Sequence, residues 1–348
     1  MKNKGSLFFL LLVCMIASSA FMQMRMDSPP FPEKRYKGRF SHPSAVRLLG
    51  RILFYDPILS ADSTISCASC HSPFNAFAHT DHARSHGIRD SMGMRNAPAL
   101  FNLSYHPYFM WDGGINHLEM QSLAPITHPG EMGESVSHVL AKIRRQAIYR
   151  HLFANAFSDT SLSIPKMLKA IGFFMASLES NSSRYDSVFA GKATYTEQEK
   201  NGYFIFSAHC AKCHVPPLFS NFAFEVNGLP PDPVLRDYGR MKQTQLRRDS
   251  LRFKVPSLRN LDYSAPYMHD GRFKTLTEVI NHYNTARDTT AYVSKELKKN
   301  MALSSVQKTD LLSFLLCLND RSFVFNPAHQ YPRNELDSLK KSFGLSSK

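Results

Sequence analysis

A mainly α-helical chain of two domains is predicted by three observations. Apolar residues recur at helical spacing along much of the 348 residues, and runs with strand character are few and short. One Cys-x-x-Cys-His motif occurs twice, as Cys67-Ala-Ser-Cys70-His71 and Cys210-Ala-Lys-Cys213-His214. Two thiols at i and i+3 reach both vinyl groups of one porphyrin, and the adjacent histidine then sits beneath the iron. Each motif is therefore the covalent attachment signature of a c-type haem. The alternatives are one zinc ion held by both pairs, or a thioredoxin-like dithiol at each. The long gap between the motifs argues against the first, and the absence of a βαβ context against the second.

The elements follow in order. Met1-Lys-Asn-Lys, the apolar stretch Leu7 to Ala17 and the small residues Ser18-Ser19-Ala20 read as an export signal over 1–20. The apolar stretch falls short of the ~20 residues that span a bilayer, so no transmembrane anchor is expected after cleavage. Cys14 follows Val13, which is larger than the residue that usually precedes a lipoprotein cysteine. Residues 21–40, rich in Pro, Met and Lys without periodicity, form an extended leader. A first domain is expected over 41–190. It opens with a helix at Ser44 to Tyr55, carried by Val46, Leu49, Ile52 and Leu53 and stopped before Pro57. The first motif follows, then helical patterns at Val136 to Ala156 and Ile164 to Leu178.

Asn181 to Thr194 is polar and Gly-containing, a domain boundary, so the second domain is expected over 191–348. Thr196-Glu-Gln-Glu199 is a capping box opening a helix that delivers the second motif. A Pro-rich loop runs from Val215 to Asp232, and the closing helix, Ser304 to Leu318, begins with Ser304-x-x-Gln307. Helix, haem motif, irregular loop and closing helix is the plan of a small cytochrome c. The expected architecture is thus two cytochrome c-like domains, each with one covalently attached c-type haem.

Cysteine usage agrees. Of six cysteines, Cys14 leaves with the signal, four sit in the motifs, and only Cys317 remains, in an apolar helical stretch where a buried core position is expected. An exported chain without disulfides makes sense if its cysteines are bound to porphyrin. The net charge is +14, two fewer once Lys2 and Lys4 are removed. Such a surface could steer an acidic redox partner or simply be solvated. No basic run with interleaved aromatics points to nucleic acid.

Between and after the motifs the chain resembles the bacterial di-haem cytochrome c peroxidases and their MauG-type relatives. The matching stretches are Leu49-Gly-Arg-Ile-Leu-Phe-Tyr-Asp-Pro-Ile-Leu-Ser60, Arg95-Asn-Ala-Pro98, Trp111-Asp-Gly113, Leu118-Glu-Met-Gln121, Pro125-Ile126 and Glu131-Met-Gly133. In the C-terminal half they are Lys254-Val-Pro-Ser-Leu-Arg-Asn260 and Ala265-Pro-Tyr-Met-His-Asp-Gly271. The resemblance implies that the first haem, with His71 beneath it, is the peroxide site, and that Gln121, Pro125 and Glu131 line its far side. A carboxylate there moves a proton from the inner to the outer peroxide oxygen. In members that need reductive activation a histidine blocks this iron. The matching position here is Ile88, which implies an open iron, although His86, beside His79 and His82 in the same loop, is a rival.

At the second haem, opposite His214, the peroxidases carry Met and MauG-type enzymes Tyr. The matching residue is Tyr283, with Met268 and His282 as rivals. A thioether raises a haem potential, whereas a phenolate stabilises oxidised iron. The resemblance also implies that Trp111, the sole tryptophan, relays electrons between the haems. It further implies a calcium ion held by the Asn96 side chain and the carbonyls of Ser264 and Pro266. The expected activity is periplasmic reduction of hydrogen peroxide to water, with electrons from a small cytochrome c or cupredoxin. A MauG-type oxidase acting on a protein or other bulky substrate is the alternative, and a two-haem electron carrier a third. Family members are often homodimers.

Overall fold

Two hydrophobic clusters organise the protein, each around a crossed pair of helices. The computed structural model describes residues 30–79, 81–285 and 293–344. The expected export signal, Cys14 and the first part of the leader lie outside the described residues. Helix α1 (Pro43–Tyr55) forms as its apolar spacing predicts, with Pro43 in its first turn. The four-residue helix α2 (Cys67–Cys70) is the first motif, opened by a Ser66/Ser69 capping box. Two short helices follow, α3 (Leu118–Gln121) and α4 (Leu123–Thr127). The pattern expected to run unbroken from 136 to 156 divides into α5 (Val136–Arg145) and α6 (Ala147–Phe157), because Gln146 is extended (φ −90, ψ 115) and ends one helix while opening the next. Lys142, Arg144 and Arg145 favour that stop by placing positive charge at the C-terminal end of α5. Helix α7 (Ile164–Ala176) completes the first set.

The α1 and α7 axes approach closely at Gly50, where any Cβ would come within 1.9 Å of the Ala170 carbonyl oxygen. Val46, Leu49, Leu53, Ala170 and Ile171 are fully buried at this crossing. The second cluster repeats the device. After α8 (Arg184–Phe189), helix α9 (Glu197–His209) starts at its expected capping box and packs on the closing helix. Gly202 would put a Cβ 2.0 Å from the Asp310 carbonyl oxygen. A short two-stranded sheet pairs β1 (Phe224–Glu225) with β2 (Phe253–Lys254) antiparallel, Phe224 opposite Lys254. Helices α10 (Met241–Thr244), α11 (Leu276–Thr285) and α12 (Ser305–Leu316) follow, the last with the Ser304/Gln307 capping box. Cys317 is buried, as expected.

The chain then leaves the second cluster. Helices α13 (Arg321–Val324) and α14 (Arg333–Ser342) place Phe323, Val324 and Leu336 in the first core. Residues after 320 thus pack with the first cluster, and Tyr185 belongs to the second. Arg51 secures the returning segment through Glu335 (2.9 Å) and the Pro327 carbonyl (2.8 Å). Among the described residues no helix is long and apolar enough to cross a membrane.

Candidate active site

Both motif histidines are built to bind through the same nitrogen. His71 Nδ1 lies 2.7 Å from the Phe77 carbonyl oxygen. His214 Nδ1 lies between the carbonyls of Phe219 (3.2 Å) and Pro256 (3.1 Å). A carbonyl can only accept, so in each ring Nδ1 carries the proton and Nε2 keeps its lone pair for iron. Burial lowers both imidazoles to about 4, which holds them neutral. The Phe77 carbonyl is aimed at His71 by a left-handed pair, Ala76 (φ 51) and Phe77 (φ 60), whose side chains are fully buried.

The four motif cysteines are unpaired thiols. Burial raises Cys67 and Cys210 to about 12, and burial with the nearby Glu131 carboxylate raises Cys70 to about 11. Among the described residues neither cysteine pair belongs to a group of three or more side chains that could hold a metal ion, which argues against zinc and suits thioether bonding to porphyrin. A mostly apolar cavity of about 280 Å³ opens beside the second motif. Cys210, Cys213 and His214 border it together with Leu258, Ile280, Leu311 and Leu315. Apolar walls with one free imidazole nitrogen fit a haem.

That cavity gathers most of the residues singled out in the sequence. Trp111, Gln121, Asn96, Ser264, Pro266, Met268 and Tyr283 all border it. The Trp111 indole donates to the Asn96 carbonyl (2.8 Å), and its own carbonyl accepts from Lys254 (2.8 Å), so both ends of the residue are held. Gln121 is buried, and its Oε1 has no hydrogen-bond partner among the described residues. Asn96 Nδ2 reaches the Pro266 carbonyl at 2.6 Å, while Asn96 Oδ1 is a second buried orphan. Burial pushes Tyr283 up to about 12. Asn227 Nδ2 lies 3.5 Å from Met268 Sδ, and the Asn227 carbonyl takes up His282 Nε2 at 3.0 Å, so His282 is engaged elsewhere.

Glu131 and Pro125 lie apart from that cavity, with the first motif. Glu131 is half-buried, burial raises its pKa, and His128 Nδ1 is 3.9 Å from its carboxylate. The Pro125 carbonyl accepts from Met132, which ties the two segments together. The Glu131 carbonyl accepts from Ile88 (2.8 Å), and Ser91 Oγ donates to the Gly130 carbonyl (2.8 Å). These bonds pin the 85–92 loop with Ile88 against Gly133. His82 and His86 stack at 4.2 Å in the same loop.

Two cations to which the sequence assigns no role make contacts that only the fold reveals. Lys254 lies in the stretch Lys254-Val-Pro-Ser-Leu-Arg-Asn260. Its Nζ donates to the Tyr108 carbonyl (2.9 Å), and burial holds it near 8. Arg95 binds Asp237 through Nε (2.5 Å) and Nη2 (2.8 Å), and Asp112 through Nη1 (2.8 Å), joining the residue after Trp111 to the second half of the chain. The Arg95-Asn-Ala-Pro run offered a signal for Arg95, but nothing local points to Asp237.

The fold and the two motif sites define a redox protein of the c-type cytochrome class. Comparison with known proteins narrows the class. The profile described as "Di-haem cytochrome c peroxidase" matches residues 44–194. The chain is 32% identical over 304 residues to the methylamine utilization protein MauG of Methylophilus methylotrophus, covering 85% of this chain and 87% of that one. It is 36% identical over 240 residues to the cytochrome c peroxidase Ccp of Escherichia coli, covering 67% of this chain and 51% of that one. Among solved structures, a MauG-like protein associated with microbial copper homeostasis superposes with a TM-score of 0.80 at 31% identity, over 88% of this chain and 99% of its own. The chain belongs to the di-haem cytochrome c peroxidase and MauG family, whose members are oxidoreductases; the family implies two c-type haems.

Proposed function

We propose that this protein is an exported di-haem peroxidase that reduces hydrogen peroxide to water with electrons from a small redox protein. One observation carries the reading furthest: Trp111 and Gln121, from the first half of the chain, border the same cavity as Cys210, Cys213 and His214. An electron entering at the second motif site would then meet a fixed indole on its way to the first. Haem iron, which His71 would hold, would supply the redox cleavage of the peroxide O–O bond. Glu131 would take the proton of the incoming peroxide and return it to the departing oxygen, a task suited to a carboxyl whose pKa burial has raised. Gln121 would orient the oxygens through its uncommitted amide. Ile88, held against Gly133, supports an iron that needs no reductive opening.

The fit also supports calcium between Asn96, Ser264 and Pro266. The orphaned Asn96 Oδ1 and the carbonyl of Pro266 are oxygens that a hard cation would take up. A MauG-type oxidase is the second reading, favoured by Tyr283, which borders the cavity close to both Cys210 and Cys213. The test is Glu131→Gln in haem-loaded protein. Peroxide turnover with a reduced small cytochrome should fall about 100-fold or more. Unchanged turnover removes Glu131 from the mechanism, and no turnover in the parent protein leaves a MauG-type oxidase or an electron carrier.

A further inference from the structure

A tyrosine cluster on the proximal side of the first motif site has no part in the chemistry described so far. Tyr149 is buried, and its hydroxyl donates to Asp56 Oδ2 at 2.6 Å. Burial, the Asp56 carboxylate and the neighbouring Tyr331 phenol all raise its pKa, so the phenol stays protonated until it is oxidised. Tyr331 is half exposed, and its ring stacks edge-on against Tyr55 at 5.9 Å. From Tyr55 a packed line runs inward, Tyr55 to Phe54 (5.6 Å) and Phe54 to Phe77 (5.8 Å). Phe77 is the residue whose carbonyl holds His71. Aromatic contacts thus run without a break from Phe77 through Phe54 and Tyr55 to Tyr331 at the surface, and Tyr149 shares the buried core of Phe54 and Phe77.

We infer that Tyr149, with Asp56 as its proton acceptor, is a redox-active tyrosine that carries stranded oxidising equivalents from the first haem site to Tyr331 at the surface. The proposal rests on the peroxide reading above. Peroxide is the oxidant: once it has reacted and no donor protein is at hand, the first site lacks electrons. Tyr149 gives up one electron toward it, and its phenolic proton passes to Asp56, leaving a neutral phenoxyl radical. Tyr331 then returns an electron to Tyr149, which recovers its proton from Asp56, while the Tyr331 proton goes to water. A one-electron reductant in solution, a phenol or ascorbate, restores Tyr331. Tyr55 does not serve as the oxidised residue because its hydroxyl donates to the His329 carbonyl (2.6 Å), which cannot hold a proton.

The experiment uses the haem-loaded full chain mixed with hydrogen peroxide without donor. Freeze-quenched samples are read by electron paramagnetic resonance, peroxide loss is followed in parallel, and a nitroso spin trap is mapped by peptide mass spectrometry. The parent should show a tyrosyl signal that changes shape with ring-deuterated tyrosine, and a trap adduct on Tyr331. Tyr149→Phe should abolish both. Asp56→Asn should slow the signal's rise about 100-fold, the contribution of a positioned base. Tyr331→Phe should keep the signal and lose the adduct; it and Asp56→Asn decide the matter should Tyr149→Phe not fold. A signal undiminished in Tyr149→Phe, or an adduct on Trp111 in place of Tyr331, overturns the proposal alone. Absence of peroxide loss overturns it together with the peroxidase reading.

Discussion

Replacing Arg95 with Met tests whether the fork that joins the two halves of the chain is structural. The wild-type guanidinium makes three hydrogen bonds to two carboxylates, Asp112 and Asp237, which are 4% and 6% exposed. Removing one partner of a buried ion pair typically costs about 3–5 kcal/mol, because the charge left behind remains desolvated. Part of that is offset here. Asp112 keeps Gly114 N and Gln243 Nε2, each at 3.1 Å, and Asp237 keeps Gly239 N at 3.0 Å. A loss of about 3 kcal/mol at neutral pH is therefore expected, at the low end of that range. The pH dependence sharpens the test. Burial alone would raise Asp237, but Arg95 outweighs it and the carboxyl lies below its ordinary value. In the wild type this contribution is present above the ordinary carboxylate value and disappears as pH falls through the lowered one. Without Arg95 the burial effect is opposed only by the Gly239 N–H and the nearby His269, so the carboxyl moves up from its lowered value, and protonation on acidification relieves the burial cost. Urea denaturation of the haem-loaded protein, followed by far-ultraviolet circular dichroism, should show the gap narrowing from about 3 kcal/mol at pH 7 to roughly 1 at pH 4. Equal gaps at both pH values, or less than about 1 kcal/mol at pH 7, would refute the reasoning.

Other outcomes follow from the same packing. Gly202→Ala should destabilise by about 1–3 kcal/mol or more, since its Cβ has 2.0 Å of room against the Asp310 carbonyl oxygen, and thermal melts would detect it. If Tyr283 ligates the second haem, Tyr283→Phe should alter that haem's absorption and electron paramagnetic resonance spectra while Met268→Leu leaves them alone; the reverse pattern would assign Met268. If calcium binds at Asn96, its chelation should perturb both haem spectra in the parent and leave Asn96→Ala, already lacking the side-chain oxygen, unchanged on further chelation.

Much of the local structure was legible in the chain itself. The capping boxes at Thr196/Glu199 and Ser304/Gln307 form as read, because each is completed by side chain and backbone within a single turn. Helix α1 needed only its apolar spacing. The break at Gln146 was invisible because apolar residues continue at helical spacing on both sides, and the change of direction follows from packing. The return of Phe323, Val324 and Leu336 to the first core was equally hidden. Their apolar character says that they are buried, and nothing in it says against which domain.

The same division holds at the candidate site. By itself the sequence marked where porphyrin chemistry is expected, since two thiols and a histidine in five residues are a local pattern with a local cause. It also singled out Trp111, Gln121 and Asn96, which the fold brings to one cavity. Only the tertiary structure decided that the Phe77 and Phe219 carbonyls set the histidine tautomers, that Arg95 reaches Asp237, and that Tyr149 meets Asp56. A hydrogen bond between residues far apart in sequence has no local signature, because its geometry arises from how whole helices cross, and that is settled by the sum of many weak contacts.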